Sequence, residues 1–390
     1  METPYNFLGE SAGYTPGIPQ DRKRRKGGGS LNKRITIRDV AERSGVSIST
    51  VHQALNGKSG VSEATRAQIR KIADEMGYQP NAMASGLKRR TQHVAMLLPG
   101  SGGINRYYYP PLWSGIRDYL SGAADLHVDC IELPYGGSRD ASLAEKADEL
   151  RALLDIGRID GLLTVGHMDA FSGKEWESIA KAGIPVVQIG YDIPQSRSLC
   201  CVQPDYQVIG RTMAELILGH IPPYGSIMMC AGNPEWKQHS LIVQGFEEYM
   251  AENGAQNKLY KHHAWHIRPD YQKEITYLLS QPDVAACCSV LSQSSVMLSQ
   301  ALLDTGKAER VFAVGSDLFD ENIANLQNGI LTNIIHKNPY AQGYLGIKTL
   351  VENLTQGKAP QQHTIYVGSE VVFRSNVIMY DRGSYRSLLL

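Results

Sequence analysis

The chain has 390 residues, 42% of them hydrophobic, and its 39 Lys/Arg balance its 39 Asp/Glu to a formal net charge of zero. No apolar run is long enough to span a membrane, and the amino-terminal segment lacks the apolar core of a signal peptide, so we expect a cytoplasmic protein. The six cysteines show no metal-ligand spacing, and Cys200-Cys201 and Cys287-Cys288 lie in apolar runs. This usage predicts buried free thiols, with no metal site and no cofactor.

Residues 1–34 are rich in Gly, Pro and polar side chains, and we predict a disordered basic extension there. The run DRKRRK at residues 21–26 is followed by GGGS. Three interpretations of this run are open. It is an arm that adds nonspecific DNA contact, a solvated tail, or sequence ahead of a misassigned start codon.

Residues 35–57, ITIRDVAERSGVSISTVHQALNG, have the pattern of two short helices joined by a tight turn. Thr36 suits the N-cap of the first helix, with Asp39 three residues later. Gly45 suits the left-handed position that ends this helix, and Ser47 suits the N-cap of the second. The second helix then exposes Ile48, Ser49, His52 and Gln53. This spacing is typical of a helix-turn-helix that places its second helix in the major groove of DNA, although an ordinary helical hairpin has the same pattern.

A third helix follows, with Ser62 as its N-cap and Gly77 at its end. Residues 31–90 hold eleven Lys/Arg against five Asp/Glu, a net charge of +6, whereas residues 91–390 hold 23 against 31, a net charge of −8. A basic segment joined to an acidic body favours phosphate contacts at one end of the protein only.

Four motifs carry a family resemblance: TIRDVAERSGVSISTVHQALNG, VSEATRAQI, MGYQPNAMASGL and the strand HVAMLLP. Residues 35–98 resemble the headpiece and hinge of the LacI/GalR family of bacterial transcriptional regulators. The resemblance implies a headpiece at 35–79 and a hinge at 80–90, which a plain linker would also explain, with Leu87 as a wedge in the minor groove. Gln53 stands where the family often has a basic residue, which implies an altered operator sequence. The DNA-binding residues implied are Thr36, Ser47, Ile48, Ser49, Thr50, His52, Gln53, Asn56, Asn81, Met83, Ala84 and Leu87.

Residues 91–390 alternate between candidate strands and helices, which predicts parallel sheets covered by helices, and their number requires two lobes. The fold class we predict is a small all-α helix-turn-helix headpiece joined to an α/β two-lobed domain. By the resemblance, that domain has the type I periplasmic-binding-protein fold. Lobe one is expected at about 91–191 and 331–353, and lobe two at about 194–318 and 366–380. The chain would cross between lobes near 191–194, 318–331 and 354–365.

Ligands of such folds sit where loops at the carboxyl ends of the strands converge. The aromatic loop at residues 105–113 favours sugars, because sugar C–H faces stack on aromatic rings. The resemblance assigns Asp317 to ligand hydroxyls, although an N-cap role is an alternative, and Trp113 has core packing as its alternative. Family members commonly carry an Arg shortly before the Gly-Phe pair at residues 245–246, but residues 238–246 contain none. The ligand-binding candidates are Tyr108, Tyr109, His167, Asp169, Tyr191, Trp236, Lys237, Gln293, Asp317 and His336.

The sequence therefore predicts a homodimeric, sequence-specific regulator of transcription, with double-stranded operator DNA and a small-molecule effector as partners. The favoured effector is a carbohydrate, and a nucleobase or a protein effector remains the alternative. A solute-binding protein or an enzyme is a remote alternative, since no nucleophile elbow, phosphate-binding glycine loop or paired metal ligands occur.

Overall fold

A computed structural model describes residues 35–55, 60–78, 90–137, 141–166, 171–263 and 269–381. The chain divides into two compact units, Met1–Ala84 and Ser85–Leu390. Among the described helices, none is both long enough and apolar enough to cross a lipid bilayer.

The described residues of the first unit form three helices, α1 (Ile37–Ser44), α2 (Ile48–Leu55) and α3 (Glu63–Glu75). Thr36 and Asp39 form a reciprocal capping box at the start of α1, and Gly45 ends this helix with φ of 69°. Both features agree with the sequence, because capping depends on side chains within a few residues of the helix end. The buried core consists of Val40, Ala41, Val51, Ala54, Ile69 and Ala73.

The first lobe of the second unit is built on a six-stranded sheet of order β11-β5-β4-β3-β1-β2, in which all pairs are parallel. Four helices cover its faces, as expected for a parallel sheet buried on both sides. The strands are β1 (Gln92–Pro99), β2 (Val128–Tyr135), β3 (Gly161–Val165), β4 (Val186–Ile189), β5 (Cys200–Pro204) and β11 (Thr364–Val367). The helices are α4 (Tyr109–Gly122), α5 (Ala141–Asp155), α6 (Gly173–Lys181) and α12 (Pro339–Gln356).

The second lobe repeats this plan with the order β12-β10-β9-β8-β6-β7, in which only the β10–β12 pair is antiparallel. Its strands are β6 (Ser226–Cys230), β7 (Leu259–His262), β8 (Val284–Ser289), β9 (Phe312–Ser316), β10 (Asn333–His336) and β12 (Glu370–Val372). Its helices are α7 (Tyr206–Leu218), α8 (Lys237–Glu252), α9 (Pro269–Ser280), α10 (Ser292–Asp304) and α11 (Asp320–Gln327), with the short α13 (Ile378–Asp381) near the end. The two-lobed α/β fold predicted from the sequence is therefore confirmed.

The chain crosses between lobes three times, but each crossing lies later than predicted. Strand β5 pairs with β4, so residues 200–204 belong to lobe one although the sequence analysis placed them in lobe two. Strand β10 pairs with β9, so residues 333–336 belong to lobe two. Strand β11 pairs with β5, which moves the last crossing to residues 368–369. Pairing with a distant strand decides the lobe of each segment, and local sequence does not encode that choice.

The six cysteines are free thiols, and all except the half-buried Cys130 are buried, as the sequence predicts. Burial raises the pKa of Cys130 to about 11 and that of Cys230 to about 12. These thiols are therefore protonated and unreactive at neutral pH.

Candidate functional site

The first and second turns of α2 present the candidate base-reading side chains. Ile48, Ser49 and His52 are exposed, whereas Thr50 and Gln53 are half-buried. Ser47 Oγ accepts a hydrogen bond from the backbone N–H of Thr50 at 3.1 Å, so the first turn is fixed by its own cap. An exposed and capped amino-terminal turn is the part of a recognition helix that meets base edges.

A buried arginine holds the other end of α2. Arg66 of α3 is only 8% exposed, and its Nη1 donates to the carbonyl oxygens of Gln53 and Ala54 at 3.3 and 3.2 Å. The guanidinium thus satisfies carbonyls that lack partners in the last turn of a helix. This role of Arg66 was not predicted from the sequence.

Several predicted site residues fall outside the described ranges. For the DNA-binding set these are Asn56, Asn81, Met83, Ala84 and Leu87, and for the ligand-binding set they are His167 and Asp169. Residues 1–34 and all of the predicted hinge except Arg90 are also outside them. Their assigned roles stay predictions from the sequence.

A cavity of about 420 Å³ lies between the two lobes, at the carboxyl ends of the parallel strands. Its walls are mainly aromatic and aliphatic, with a few polar side chains. The aromatic members are Tyr107, Tyr108, Tyr109, Tyr206 and Trp236, and the polar members are Asn105, Gln238, His239, Ser292, Gln293, Lys337 and Gln342. A concave, largely apolar site with few polar groups is the usual form of a small-molecule pocket.

Four of the predicted ligand-binding residues line this cavity, namely Tyr108, Tyr109, Trp236 and Gln293. The other described candidates do not line it. Tyr191 follows the lining residue Gly190, and Lys237 is exposed at the first position of α8. Trp113 belongs to the core, since it is 1% exposed and its Nε1 donates to Pro99 O at 2.8 Å.

Asp317 lies beneath the cavity wall in a buried network of hydrogen bonds. It is 1% exposed, and Lys337 Nζ lies 2.7 Å from its Oδ2. The same Oδ2 accepts from Ser292 Oγ at 2.6 Å and Ser316 Oγ at 3.2 Å, while Oδ1 accepts from the backbone N–H of Lys337 at 3.2 Å. Asp317 also has φ of 66°, a conformation that non-glycine residues rarely adopt. Helix α11 begins at Asp320 with Phe319 as its N-cap, so Asp317 is not a cap.

Tyr108 and Gln342 form a polar pair on the first-lobe wall. Gln342 Nε2 donates to Tyr108 Oη at 2.8 Å and to the carbonyl oxygen of Lys337 at 2.7 Å. The second bond fixes the orientation of the amide, so Gln342 Oε1 is the buried atom that accepts no hydrogen bond from the described residues. Burial raises the pKa of Tyr108 well above its usual value, and the nearby Asp317 carboxylate adds to this rise. The phenol therefore stays protonated.

His336 lies deeper than the sequence analysis expected and does not line the cavity. It is 2% exposed, and its ring packs against Tyr380 with centroids 6.1 Å apart. Burial lowers its pKa to about 4; Asp317 opposes this effect and Lys337 reinforces it. The imidazole is therefore neutral at physiological pH.

Two contacts join the lobes at the rim of the cavity. Arg106 of lobe one donates to Glu321 of α11 at 2.5 Å, and the Tyr107 ring meets Phe319 edge-on with centroids 4.8 Å apart. The Arg106 guanidinium also lies 4.2 Å from the centre of the Tyr107 ring. We call these four residues the rim clasp.

Tyr206 and Gln342 are two of the lining residues that sequence reasoning missed. Each lies at the start of a helix that follows a crossing between lobes, α7 and α12 respectively. Both residues could have been identified from the sequence if the crossings between the lobes had been placed correctly.

The larger unit matches the family described as periplasmic binding protein domain over residues 107–359, about two thirds of the chain. The chain therefore belongs to this class of two-lobed proteins. The smaller unit matches bacterial regulatory proteins, lacI family, over residues 36–81. The chain thus carries a lacI-family DNA-binding region followed by a periplasmic-binding-protein domain.

Curated relatives include catabolite control protein A of Streptococcus mutans, which is 29% identical over 187 residues, covering 48% of this chain and 52% of the relative. Catabolite control protein A of Priestia megaterium is 27% identical over 225 residues, covering 56% and 62% respectively. The matched region thus spans about half to three fifths of these relatives.

Solved structures show the same fold at low identity. A LacI-type transcriptional regulator of Bacteroides fragilis superposes with a TM-score of 0.65 at 17% identity, covering 75% of this chain and all of that one. GanP, a glucose-galactose binding protein of Geobacillus stearothermophilus, superposes with a TM-score of 0.62 at 21% identity, covering 74% and 99%. At these identities the likeness describes the fold of the second unit alone.

Proposed function

We propose that this chain is a DNA-binding transcriptional regulator, acting as a repressor, whose operator affinity is changed by a small molecule in the cavity between the lobes. The proposal rests on one observation: the same chain carries an exposed, capped α2 helix and a two-lobed domain that encloses a cavity. Neither part suggests catalysis, and we propose no enzymatic role, metal or cofactor. The setting is the cytoplasm, where operator DNA is found.

The effector we favour is a carbohydrate. The tyrosine and tryptophan rings that line the cavity offer flat faces for sugar C–H groups. Polar side chains such as Gln293 and Gln342 are placed to bind hydroxyls. A nucleobase would use the same rings and amides, so the effector experiment includes both classes.

The proposed coupling requires two subunits. A homodimer presents two α2 helices to a near-palindromic operator, and the two 80–90 segments order on DNA with Leu87 as the wedge. An effector that changes the angle between lobes changes the spacing of these segments. Effector and operator affinities are then linked reciprocally.

The DNA-binding proposal is tested by selecting operators from random duplexes with the full chain, then repeating the selection with Gln53→Ala. Loss of a base-reading amide changes the preferred base at one symmetric position and weakens binding by about tenfold. Gln68→Ala, an exposed glutamine on α3, serves as the matched control and leaves the selected sequence unchanged. If wild-type selection returns no enriched sequence, the regulator assignment fails.

The effector proposal is tested by thermal unfolding of the full chain with sugars, sugar phosphates, nucleobases and amino acids. A compound that binds only the folded state raises the melting temperature as its concentration rises. The shift given by a bound sugar disappears in Trp236→Ala. A response only to nucleobases would replace the carbohydrate assignment while leaving the regulator assignment intact.

A further inference from the structure

Lys337 carries the one formal charge among the described residues that line the cavity. Its side chain is 8% exposed, so its ammonium group is largely removed from water. A buried charge of this kind persists only where hydrogen bonds and an opposite charge compensate for lost hydration. The hydrogen-bond acceptors around the ammonium group therefore indicate which ligand groups this part of the cavity can bind.

The ammonium group has three N–H donors, and the protein supplies three acceptors. Nζ donates to Val290 O at 3.1 Å, to Asp317 Oδ2 at 2.7 Å and to Ser316 Oγ. An ammonium ion can make three such bonds, so no donor remains for a ligand.

The Asp317 carboxylate is also bound by groups of the protein itself. It accepts from Ser292 Oγ, from Ser316 Oγ, from Lys337 Nζ and from the backbone N–H of Lys337. Three of these bonds end at Oδ2 and one at Oδ1, and the residue is only 1% exposed, so the carboxylate is closed to a ligand in the cavity. The carboxylate that the sequence analysis assigned to ligand hydroxyls is already bound within the protein.

We propose that Asp317, Ser316 and Val290 O form a subsite for a primary ammonium group, and that Lys337 fills it permanently as a tethered occupant. This inference rests on the proposed effector role of the cavity and defines its specificity. Lys337 is a specificity-determining residue, because it withholds the subsite from ligand amines and hydroxyls. The cavity therefore selects uncharged ligands.

The test vacates the subsite and offers it a free ammonium ion. Lys337→Ala removes three methylenes and the ammonium group, which n-propylammonium replaces atom for atom. Melting temperatures of the full chain are measured with propylammonium chloride, with 1-propanol and with sodium chloride at equal ionic strength. We expect propylammonium to raise the melting temperature of Lys337→Ala by about 3 °C or more beyond 1-propanol, and not to do so for the wild type.

Two further variants make the test specific. In Asp317→Asn/Lys337→Ala the carboxylate is gone, so the preference for propylammonium over 1-propanol disappears. Lys261→Ala removes a lysine that pairs with Glu247 in the same lobe, and it shows no preference. Equal effects of propylammonium and 1-propanol on Lys337→Ala, or an undiminished preference in the double variant, would overturn the proposal.

If Lys337→Ala does not fold unaided, refolding from urea replaces melting as the measurement. The folded yield should then depend on propylammonium and not on 1-propanol, and equal yields overturn the proposal. Selection of an operator by the wild-type chain is measured separately. The regulator assignment and the tethered-lysine assignment can therefore fail independently.

Discussion

Arg66 shows how one buried side chain supports the DNA-binding surface without belonging to it. Its bonds to the carbonyls of Gln53 and Ala54 fix the last turn of α2, and its Nε also lies 3.3 Å from Glu63. In a unit with only a small core, a single satisfied cap is a large part of the stability.

Arg66→Ala should lower the stability of the first unit by about 1–3 kcal/mol, because two helix-end carbonyls lose their donor. Operator affinity should fall with it. Arg70→Ala removes the same charge from an exposed position of α3 and is the matched control. Denaturant unfolding followed by circular dichroism measures the difference. Equal stability of the two variants would show that Arg66 acts only through its charge.

His336 gives the second unit a specific dependence on pH. Its pKa of about 4 when folded lies below the usual value near 6.5, so between these pH values the unfolded chain binds a proton that the folded chain does not. Stability therefore falls as pH falls from about 6.5 to 4, by about 3 kcal/mol in total. His336→Asn should flatten this part of the stability profile. His127→Asn, which removes an exposed histidine, should leave the profile as steep as in the wild type.

At the scale of elements, the sequence predicted features that depend on near neighbours. The capping box at Thr36 and the Gly45 terminus were placed correctly. Helix α8 begins at Lys237, directly after the cavity residue Trp236. Lobe membership of β5 and β10 depends on pairing with distant strands, so the sequence could not give it.

The two lobes repeat one packing device. In lobe one a Cβ at Gly115 of α4 would lie 2.1 Å from Tyr340 O of α12, and one at Gly343 of α12 would lie 2.1 Å from Leu112 O. In lobe two Gly210 of α7 and Gly245 of α8 have the same reciprocal relation, at 1.9 and 2.1 Å. In each lobe, two helices approach so closely that only glycine fits at the contact.

Gly115→Ala should therefore destabilise the second unit by about 1–3 kcal/mol or more, since the helices must separate to admit a methyl group. Gly122→Ala lies on the same helix with nothing within 4 Å of the new Cβ. It should be neutral or stabilising by up to about 1 kcal/mol, because alanine favours the helix. Thermal unfolding of the two variants compares them directly, and similar losses would contradict the close-packing account.

At the scale of the whole molecule, contacts between the two lobes of the second unit can hold the cavity closed. The rim clasp joins the lobes beside the cavity, and Tyr107 of the clasp also lines the cavity.

The chemistry of the cavity could be predicted only in part from the sequence. Aromatic loops are visible in sequence, whereas the Lys337–Asp317 pair depends on two strand ends meeting in space.

Glu321→Gln should shift the second unit towards an open cleft, because the charge of the clasp is lost while the shape of the side chain is kept. Hydrogen–deuterium exchange should increase at residues 104–109 and 318–327, and added salt should increase it in the wild type but not in the variant. Glu132→Gln breaks an exposed pair with Arg117 inside lobe one and should leave both segments unchanged. An effector that binds the closed state would then bind Glu321→Gln more weakly, since part of its binding energy must close the lobes. Unchanged exchange in Glu321→Gln would show that the lobes are held together without the clasp.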